Sequence, residues 1–474
     1  MARLYYERLS EESAGYLSVE RSRRRAHVTM IALFDAGPLA AEGGGIDFAR
    51  IRELVAMRLP ELPRLRAKLR RVPLDGHPVW VDDPEFHLDY HLQQSSLPHP
   101  GTREQLCRTV ARIAATRLDR SRPLWDFWLL EGLSGGRFAL ILKMHKALAN
   151  LEGADLFRAL LSPSPEPVSG SIGRFNPRPA PSPAELFREE VLKRWSPSRR
   201  LVSQSLGIVR HPRQAMNDLR MQARGMLQVM GYKLRPTSES PFDGELGPHR
   251  SLAIHQVDLE VVQRIRRSFG GSVHDGILTI LCGALRRFLM GRHVHPVSVD
   301  LRAVTPILDA DGRAARAWSI ELPIWEEHAR ERHGLIRDQT RRIRFEGEVS
   351  SGEEITSGTE WNASRLFAIG VRAVKHLDAG SLAILEAPGT REPLYLDGAR
   401  LEECYGIFPL RGTSGLAITV LSHAGKLFFA FNADSKLVPE VDRLGDAMDA
   451  EVEEVTALVA ERGPALRAVG GGPG

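Results

Sequence analysis

The stretch that decides the fold is Arg117–His145, which reads RLDRSRPLWDFWLLEGLSGGRFALILKMH. It holds two apolar runs, Leu124–Leu130 and Arg137–Met144, on either side of Ser134-Gly135-Gly136. Glycines between two apolar runs of this length are typical of the turn of a β-hairpin. The sequence therefore predicts a hairpin whose second strand leads directly into His145 and the segment KALANLEGADL.

The rest of the first half, residues 1–160, is predicted to alternate helices and strands around this hairpin. The helix at Arg103–Leu118 places Leu106, Val110 and Ile113 on one apolar face, in keeping with helical periodicity. The same criteria predict helices at Ser10–Ser18 and Phe48–Leu59 and strands at His27–Phe34, Val79–Val81 and Phe86–His91.

Residues 161–241 separate the two halves of the chain. Pro163–Pro183 is rich in proline, serine and glycine, which predicts a flexible or extended linker. Ala184–Lys233 has apolar residues at helical spacing together with many arginines and few acids, a pattern typical of a basic amphipathic helix. Such a helix either lies on an anionic lipid surface or packs on its own protein as a solvated connector, and the sequence leaves both open.

The second half, residues 242–466, mixes helices and strands without strict βαβ alternation. Ser272 is predicted to cap an apolar, buried helix at Val273–Met290. Other predicted helices are Leu259–Ser268, Arg330–Phe345 and Pro439–Arg462, and predicted strands are Ser251–Val257, Val297–Leu301, Trp318–Pro323, Leu382–Leu385, Leu416–Ser422 and Leu427–Ala433. We therefore predict an α+β protein with mixed sheets and two domains, followed by a disordered tail at residues 467–474.

The composition, with 43% hydrophobic and 26% charged residues over 474 positions, is that of a globular protein. No apolar run reaches the roughly 18 residues of a transmembrane helix, and the start MARLYYERLSEESAG lacks a secretory pattern, so we expect a cytoplasmic protein. Three widely spaced cysteines, without CxxC or HExxH motifs, predict buried thiols and no metal site. The net charge is +5. The excess of arginine follows an amphipathic pattern, so it does not indicate a nucleic-acid partner.

Five segments together resemble the bacterial wax ester synthase/acyl-CoA:diacylglycerol acyltransferase family over nearly the whole chain. They are Arg117–His145, Gly283–Leu289, Asp300–Pro306, Ala387–Leu410 and Gly415–Phe429. The resemblance implies the fold of CoA-dependent acyltransferases, with two chloramphenicol-acetyltransferase-like domains around an active-site tunnel. The long segment between the halves is then a helical linker.

The central motif of that family is His-His-x-x-x-Asp-Gly, and its second histidine is the general base that deprotonates the acceptor hydroxyl. In this chain the first histidine is kept as His145, but the base position reads Lys146. The aspartate reads Asn150 and the glycine reads Leu151. The resemblance therefore makes Lys146, His145 and Asn150 the candidate catalytic positions, with Leu151 beside them. A realignment that uses Glu152-Gly153 as the acidic-Gly pair stays open.

Other polar positions of the family also differ here. Its Asn-Asp pair reads His274-Asp275, and its Asn-Val-Pro-Gly-Pro segment reads Glu386-Ala387-Pro388-Gly389-Thr390. The resemblance makes six positions candidates for binding substrate or supporting the site: Leu151, His274, Asp275, Glu386, Pro388 and Gly389. Two roles are open for His274, a second base at a helix N-terminus or a helix cap.

Lys146 accepts a proton only when its amine is neutral. The reference pKa of lysine is about 10.4, so a base near pH 7 needs a shift of over three units, roughly 4–5 kcal/mol. We therefore expect an O-acyltransferase weakened by the loss of the histidine base, which uses acyl-CoA as substrate, needs no cofactor and acts on a long-chain alcohol or diacylglycerol.

The alternative is a non-catalytic acyl-lipid-binding or partner protein on the same scaffold. A third hypothesis is a transferase that acts on another acceptor or on a carrier-bound acyl group. In each case the partners are an acyl donor and a lipid or alcohol. Peripheral attachment to the inner membrane surface or to lipid inclusions is a further expectation, based on the basic segment.

Overall fold

The computed structural model describes residues 5–20, 25–73, 76–149, 153–188, 240–308, 314–346, 381–387, 389–410 and 412–460. The first half forms β1 (Glu7–Arg8), α1 (Glu11–Val19), β2 (His27–Asp35), α2 (Phe48–Arg58), β3 (Ala67–Arg71), β4 (Pro78–Asp82), β5 (Leu92–Ser96), α3 (Arg103–Ala115), β6 (Trp125–Leu133), β7 (Arg137–His145), α4 (Lys146–Ala149) and α5 (Gly153–Leu160). The predicted hairpin is confirmed as β6 and β7, which pair antiparallel.

The second half begins with β8 (Arg250–Asp258), α6 (Leu259–Phe269), α7 (Val273–Gly291), β9 (Arg302–Leu308), β10 (Ala314–Glu321) and α8 (Ala329–Glu346). It continues with β11 (Ser381–Ala387), β12 (Tyr395–Leu396), β13 (Ala399–Ile407), β14 (Leu416–His423), β15 (Lys426–Asp434) and α9 (Arg443–Ala460). Both halves therefore mix helices and strands, as the sequence predicts.

Two six-stranded mixed sheets organise the described chain. One has the order β12-β13-β2-β7-β6-β5 and the other β10-β9-β11-β14-β15-β8, while β1, β4 and β3 form a small third sheet. Strand β13 belongs to the second half by sequence, yet it pairs antiparallel with β2 of the first half. The two halves thus share a sheet, and the division at residues 160 and 242 remains a prediction.

The apolar cores also join the halves. The core of the first sheet includes Leu252, Leu385 and Phe428 from the second half, so the second sheet turns one face towards the first half. The opposite face of the second sheet packs on α6, α7 and α9, where Ile384 lies in a separate core. Because side chains alternate along a strand, successive residues of β11 face different cores.

Charged side chains tie the helices of the second half together. Arg332 of α8 and Arg287 of α7 both pair with Glu451 of α9. A Cβ at Gly283 of α7 would lie 2.0 Å from the Glu451 carboxyl carbon, so only glycine leaves room for this pair. All three cysteines are buried free thiols, as predicted.

Several sequence predictions are wrong in detail. Phe86–His91 is not a strand, because Leu88–Tyr90 forms a 3₁₀ turn and β5 starts only at Leu92. Val297–Leu301 is not a strand either, because Pro296–Ser298 forms a 3₁₀ turn with Val297 69% exposed. The last helix begins at Arg443 rather than at Pro439.

The proline-rich segment at Pro163–Pro183 is extended and is held along the first half. Arg178 donates to both carboxylate oxygens of Asp82, at 2.7 and 2.8 Å. The backbone N–H of Val168 donates to Asp397 at 2.6 Å, and Arg50 donates to the same carboxylate. Most of the predicted basic amphipathic segment and the tail lie outside the described residues. Where the chain is described, no helix combines the length and apolar character needed to span a membrane.

Candidate active site

His145 is the last residue of β7, and its side chain is only 1% exposed. The backbone N–H of Ala147 donates to its Nδ1 at 3.0 Å. Because Nδ1 accepts, the ring proton of the neutral imidazole lies on Nε2, which faces Glu20 Oε2 at 3.7 Å. The arrangement orients the ring between the Ala147 N–H and Glu20.

Several side chains contact the carboxylate of Glu20, which lies directly after α1. His27 Nε2 lies 3.0 Å from Oε1, and Arg120 donates to Oε2 at 2.5 Å. His27 and His145 are register partners on β2 and β7, with ring centroids 5.7 Å apart in an edge-on arrangement. Two buried histidines, the glutamate and the exposed Arg120 thus form one group, which we call the Glu20 cluster.

In the Glu20 cluster the carboxylate is ionised and the two imidazole rings are neutral. Burial by itself raises the pKa of Glu20, but donors from His145, His27 and Arg120 outweigh it and hold that pKa well below its usual range. Burial lowers the pKa of His27 to about 4 and also lowers the pKa of His145. Both rings are therefore neutral at pH 7 and stabilise the end of β7 rather than exchange protons there.

Lys146, at the family's base position, begins α4 and is fully buried. Its Nζ lies 4.8 Å from the centroid of the Tyr16 ring on α1. A cation over an aromatic face gains roughly 0.5–2 kcal/mol in such a contact, which favours the ammonium form. Full burial opposes a charged amine, and Lys146 accepts a proton only in its neutral form.

The remaining predicted residues of the motif, Asn150 and Leu151, lie outside the described residues, as does Glu152. Helix α5 begins at Gly153. The roles assigned to Asn150 and Leu151, and the realignment to Glu152-Gly153, therefore remain predictions.

A second buried lysine, Lys143, lies three residues earlier on β7. Its Nζ donates to the carbonyl oxygens of Ile113 and Thr116 and to Thr116 Oγ1, at 2.7 to 2.8 Å. These acceptors form the C-terminal end of α3, where a positive charge is favoured. Burial lowers the pKa of Lys143 to about 8, although Asp126 opposes this shift. Lys143 joins β7 to α3, a role that the sequence analysis missed.

In the second half, Ser272 caps α7 as predicted. Its hydroxyl accepts from the Asp275 N–H at 3.3 Å, and Asp275 Oδ2 accepts from the Ser272 N–H at 2.7 Å. Thr340 of α8 donates to Asp275 Oδ1 at 2.7 Å. Burial raises the pKa of Asp275, but the bonds from Thr340 and Ser272 outweigh it and the net shift is downward. Asp275 is therefore an ionised capping residue.

His274 lies between these capping residues and makes a different contact. Its Nδ1 is 2.9 Å from Glu386 Oε1, near the end of β11. The side chains of His274 and Glu386 are 16% and 8% exposed. The cap is completed by Ser272 and Asp275, so His274 is placed against the glutamate instead of acting as a cap.

The residues after Glu386 fold back onto β14. The Gly389 N–H donates to Ser422 Oγ at 2.8 Å, which fixes the backbone at this position. Pro388 lies outside the described residues, and its predicted role stays a prediction. Within the described chain, we find no cluster of side chains suited to a metal ion.

The sequence analysis missed Glu20, His27 and Arg120. Nothing near the motif indicates Glu20, since it is brought in from α1 by the tertiary fold. The burial of His27 could have been predicted, because this residue begins a predicted strand and has apolar neighbours on both sides.

Two mixed sheets, with strands β12 and β13 of the second half added to the edge of the first sheet, define a CoA-dependent acyltransferase fold. The chain matches the model of the wax ester synthase/diacylglycerol acyltransferase catalytic domain over residues 9–277 and that of the WS/DGAT C-terminal domain over residues 318–456. It therefore belongs to the wax ester synthase/diacylglycerol acyltransferase family.

Proteins with known names are similar to this chain over nearly its whole length. A putative diacylglycerol O-acyltransferase of Mycobacterium tuberculosis is 29% identical, covering 95% of this chain and 90% of its own. The wax ester synthase/diacylglycerol acyltransferase of Marinobacter aquaeolei VT8 superimposes with a TM-score of 0.67 at 20% identity, over 96% and 100% of the two chains. The first condensation domain of the calcium-dependent antibiotic synthetase gives 0.55 at 13% identity, over 99% and 100%. These two structures support the fold alone.

Proposed function

We propose that the protein is an acyl-CoA-dependent O-acyltransferase that forms wax esters or triacylglycerol at a reduced rate. Membership of the family and similarity to a putative diacylglycerol O-acyltransferase over nearly the whole chain support the reaction class. The reduced rate is supported by one observation, namely that Lys146 occupies the base position and is buried against Tyr16.

The chemistry explains why that position matters. The acceptor hydroxyl attacks the carbonyl carbon of the thioester, and its proton must leave as the oxygen–carbon bond forms. A general base contributes roughly 10²–10⁴-fold to such a step. A lysine at residue 146 that carries a positive charge does not accept the proton. We therefore expect a lower kcat and unchanged binding of acyl-CoA.

The test is ester formation from a long-chain acyl-CoA with hexadecanol or with diacylglycerol. We expect product above a heat-killed control for the wild type and a faster rate for Lys146→His. Lys146→Gln is the matched control, because it removes the charge without supplying a base. An equal gain in both variants contradicts the vacated-base explanation, and no product from the wild type contradicts the proposed activity.

A second candidate function is a non-catalytic acyl-lipid-binding protein. It is favoured by the Glu20 cluster, in which His145 is oriented by Ala147 and Glu20 and is fully enclosed. This candidate predicts that acyl-CoA binds without release of CoA. Release of free thiol in step with ester formation contradicts it.

We also propose that the protein associates with anionic lipid surfaces through its basic segment, Ala184–Lys233. The excess of arginine at helical spacing supports this proposal. Flotation with vesicles that contain anionic lipid should carry the protein, and high salt should release it. Equal flotation with neutral vesicles contradicts an electrostatic attachment.

A further inference from the structure

Two buried carboxylates hold the segment Ser162–Leu186, which we call the strap. Asp397, in the turn between β12 and β13, accepts from the backbone N–H of Val168 at 2.6 Å. It also accepts from Nε and Nη2 of Arg50 on α2, at 2.6 and 2.8 Å. Two N–H groups of one guanidinium on one carboxylate form a strong and directional contact. Asp397 therefore fastens the strap and α2 to a turn that belongs to the second half of the chain.

Asp82, at the end of β4, holds the far end of the strap in the same way. It accepts from Nε, Nη2 and the backbone N–H of Arg178, at 2.8, 2.7 and 2.9 Å. The side chains of Asp82 and Asp397 are 4% and 6% exposed. Burial raises the pKa of each carboxyl, but the bonds from arginine and backbone outweigh it, so both are ionised. The two anchors thus match in donors, burial and charge.

The turn at Asp397 is shaped to receive the strap. Asp397 has a φ of 48° and Gly398 a φ of 91°, in the left-handed region that aspartate and glycine tolerate best. A Cβ at Gly398 would lie 3.3 Å from the carbonyl oxygen of Pro165. The strap therefore packs closely against this turn as well as bonding to it.

The near end of the strap is joined to the motif through α5. The strap begins shortly after α5, the helix that follows His145 and Lys146 in the chain. Its first residue, Ser162, exchanges two backbone hydrogen bonds with Tyr395 of β12, at 2.9 and 2.8 Å. Helix α5 also packs against α2, which carries Arg50. Four elements thus meet around Asp397, namely α2, α5, the strap and the β12–β13 turn, whereas Asp82 contacts the strap far from α5.

We propose that Asp397, held by Arg50, is a positioning residue for acyl transfer, because it fixes α2, the strap and the β12–β13 turn around α5. The inference rests on the proposed acyltransferase function. Acyl transfer depends on close placement of the reacting groups, and a displacement of about 1 Å costs about 10²-fold in rate. Asp82 secures the strap alone, so its loss should leave the helix after the motif in place.

The first test compares Arg50→Gln with Arg178→Gln by hydrogen exchange. The two arginines are matched, since each binds its aspartate through two N–H groups and contacts one further side chain, Glu53 or Tyr5. We expect amide exchange in α5 and β12 to rise at least about tenfold in Arg50→Gln and to stay within about twofold in Arg178→Gln. Faster exchange of α5 in both variants, or in neither, overturns the inference.

The second test is ester formation per folded molecule in the same two variants. Arg50→Gln should lower kcat at least about tenfold, while Arg178→Gln should change it less than about twofold. Arg50→Lys should restore part of the rate, because it keeps the charge beside Asp397 but not the paired bonds. A structural role alone predicts equal turnover per folded molecule in all three variants, and that result overturns the inference.

Asp397→Gly checks the carboxylate itself, since glycine tolerates the φ of 48°. It should reproduce both the exchange and the rate of Arg50→Gln, and wild-type behaviour in this variant contradicts the role of Asp397. The two proposals fail differently. A wild type that turns over, with Arg50→Gln equally active, overturns the positioning role and leaves the acyltransferase function standing. A wild type without turnover overturns both.

Discussion

The Glu20 cluster and the His274–Glu386 pair each place a histidine against a glutamate, one in each half of the chain. In the first, one carboxylate receives His27, His145 and Arg120, and His145 is 1% exposed. In the second, one glutamate faces one ring that is 16% exposed. Glu20 Oε2 accepts a hydrogen bond from Arg120, whereas neither carboxylate oxygen of Glu386 has a hydrogen-bond partner among the described residues.

The two sites differ in what compensates the buried carboxylate. In the cluster, burial keeps both histidines neutral, although Glu20 by itself raises the pKa of each ring. In the pair, the Glu386 carboxylate faces the His274 ring, which is more exposed than the ring of His145.

The largest expected effect comes from Glu20→Gln. It removes the charge that His27, His145 and Arg120 share, and breaking a buried ionic group costs about 3 kcal/mol. Arg120 is 40% exposed, so water compensates its part of the loss. Urea denaturation should show the lower free energy of unfolding, with turnover per folded molecule changed less than about twofold. Unchanged stability contradicts the role of the cluster.

The pH dependence of stability gives the next largest effect. The pKa of His27 is about 4 in the folded protein, against about 6.5 for an unfolded histidine. Between these values the unfolded chain binds more protons, so stability is full above pH 6.5 and falls as the pH drops towards 4, by about 3 kcal/mol.

His27→Gln should make this decline shallower in calorimetric scans between pH 7 and pH 4.5. The decline should persist in part, since burial also lowers the pKa of His423 to about 4. The exposed His87 provides the control, and His87→Gln should leave the slope as it is. A slope unaffected by His27→Gln contradicts a neutral, buried ring.

The replacement of His145 tests its bond to Ala147. In His145→Asn the side-chain oxygen still accepts from the Ala147 N–H, whereas His145→Ala leaves that donor buried without a partner. We expect alanine to be less stable than asparagine by about 1–2 kcal/mol. Thermal unfolding of the two variants measures the difference, and equal values contradict the assignment of Nδ1 as acceptor.

The smallest expected effect on stability belongs to Glu386→Gln. Neither Glu386 oxygen has a hydrogen-bond partner among the described residues, so the amide loses little and the free energy of unfolding should change by less than about 1 kcal/mol. The same urea experiment measures it. A decrease in the free energy of unfolding as large as that in Glu20→Gln would contradict the difference between the two sites.

Local signals explain what the sequence could predict. The hairpin of β6 and β7 and the cap at Ser272 are encoded by neighbouring residues, so both were predictable. Strand β13 was not predicted, because its partner β2 lies in the other half of the chain. The altered positions His274 and Glu386 were recognised one by one, but their contact depends on how β11 meets α7.

The same limit applies to the motif. The replacement at Lys146 was visible, yet its burial against Tyr16 depends on how α1 packs against α4. Glu20 carries no motif of its own and becomes important only through the three side chains that the fold brings to it. Residue types were therefore predictable at the site, whereas their partners were not.

The most direct test of the account is the rate of ester formation in the wild type, in Lys146→His and in Lys146→Gln. Lys146→His should turn over faster than the wild type, because it returns a general base to the position, whereas Lys146→Gln should not. Equal rates in the three proteins would contradict the account of residue 146 as a base position that has lost its base.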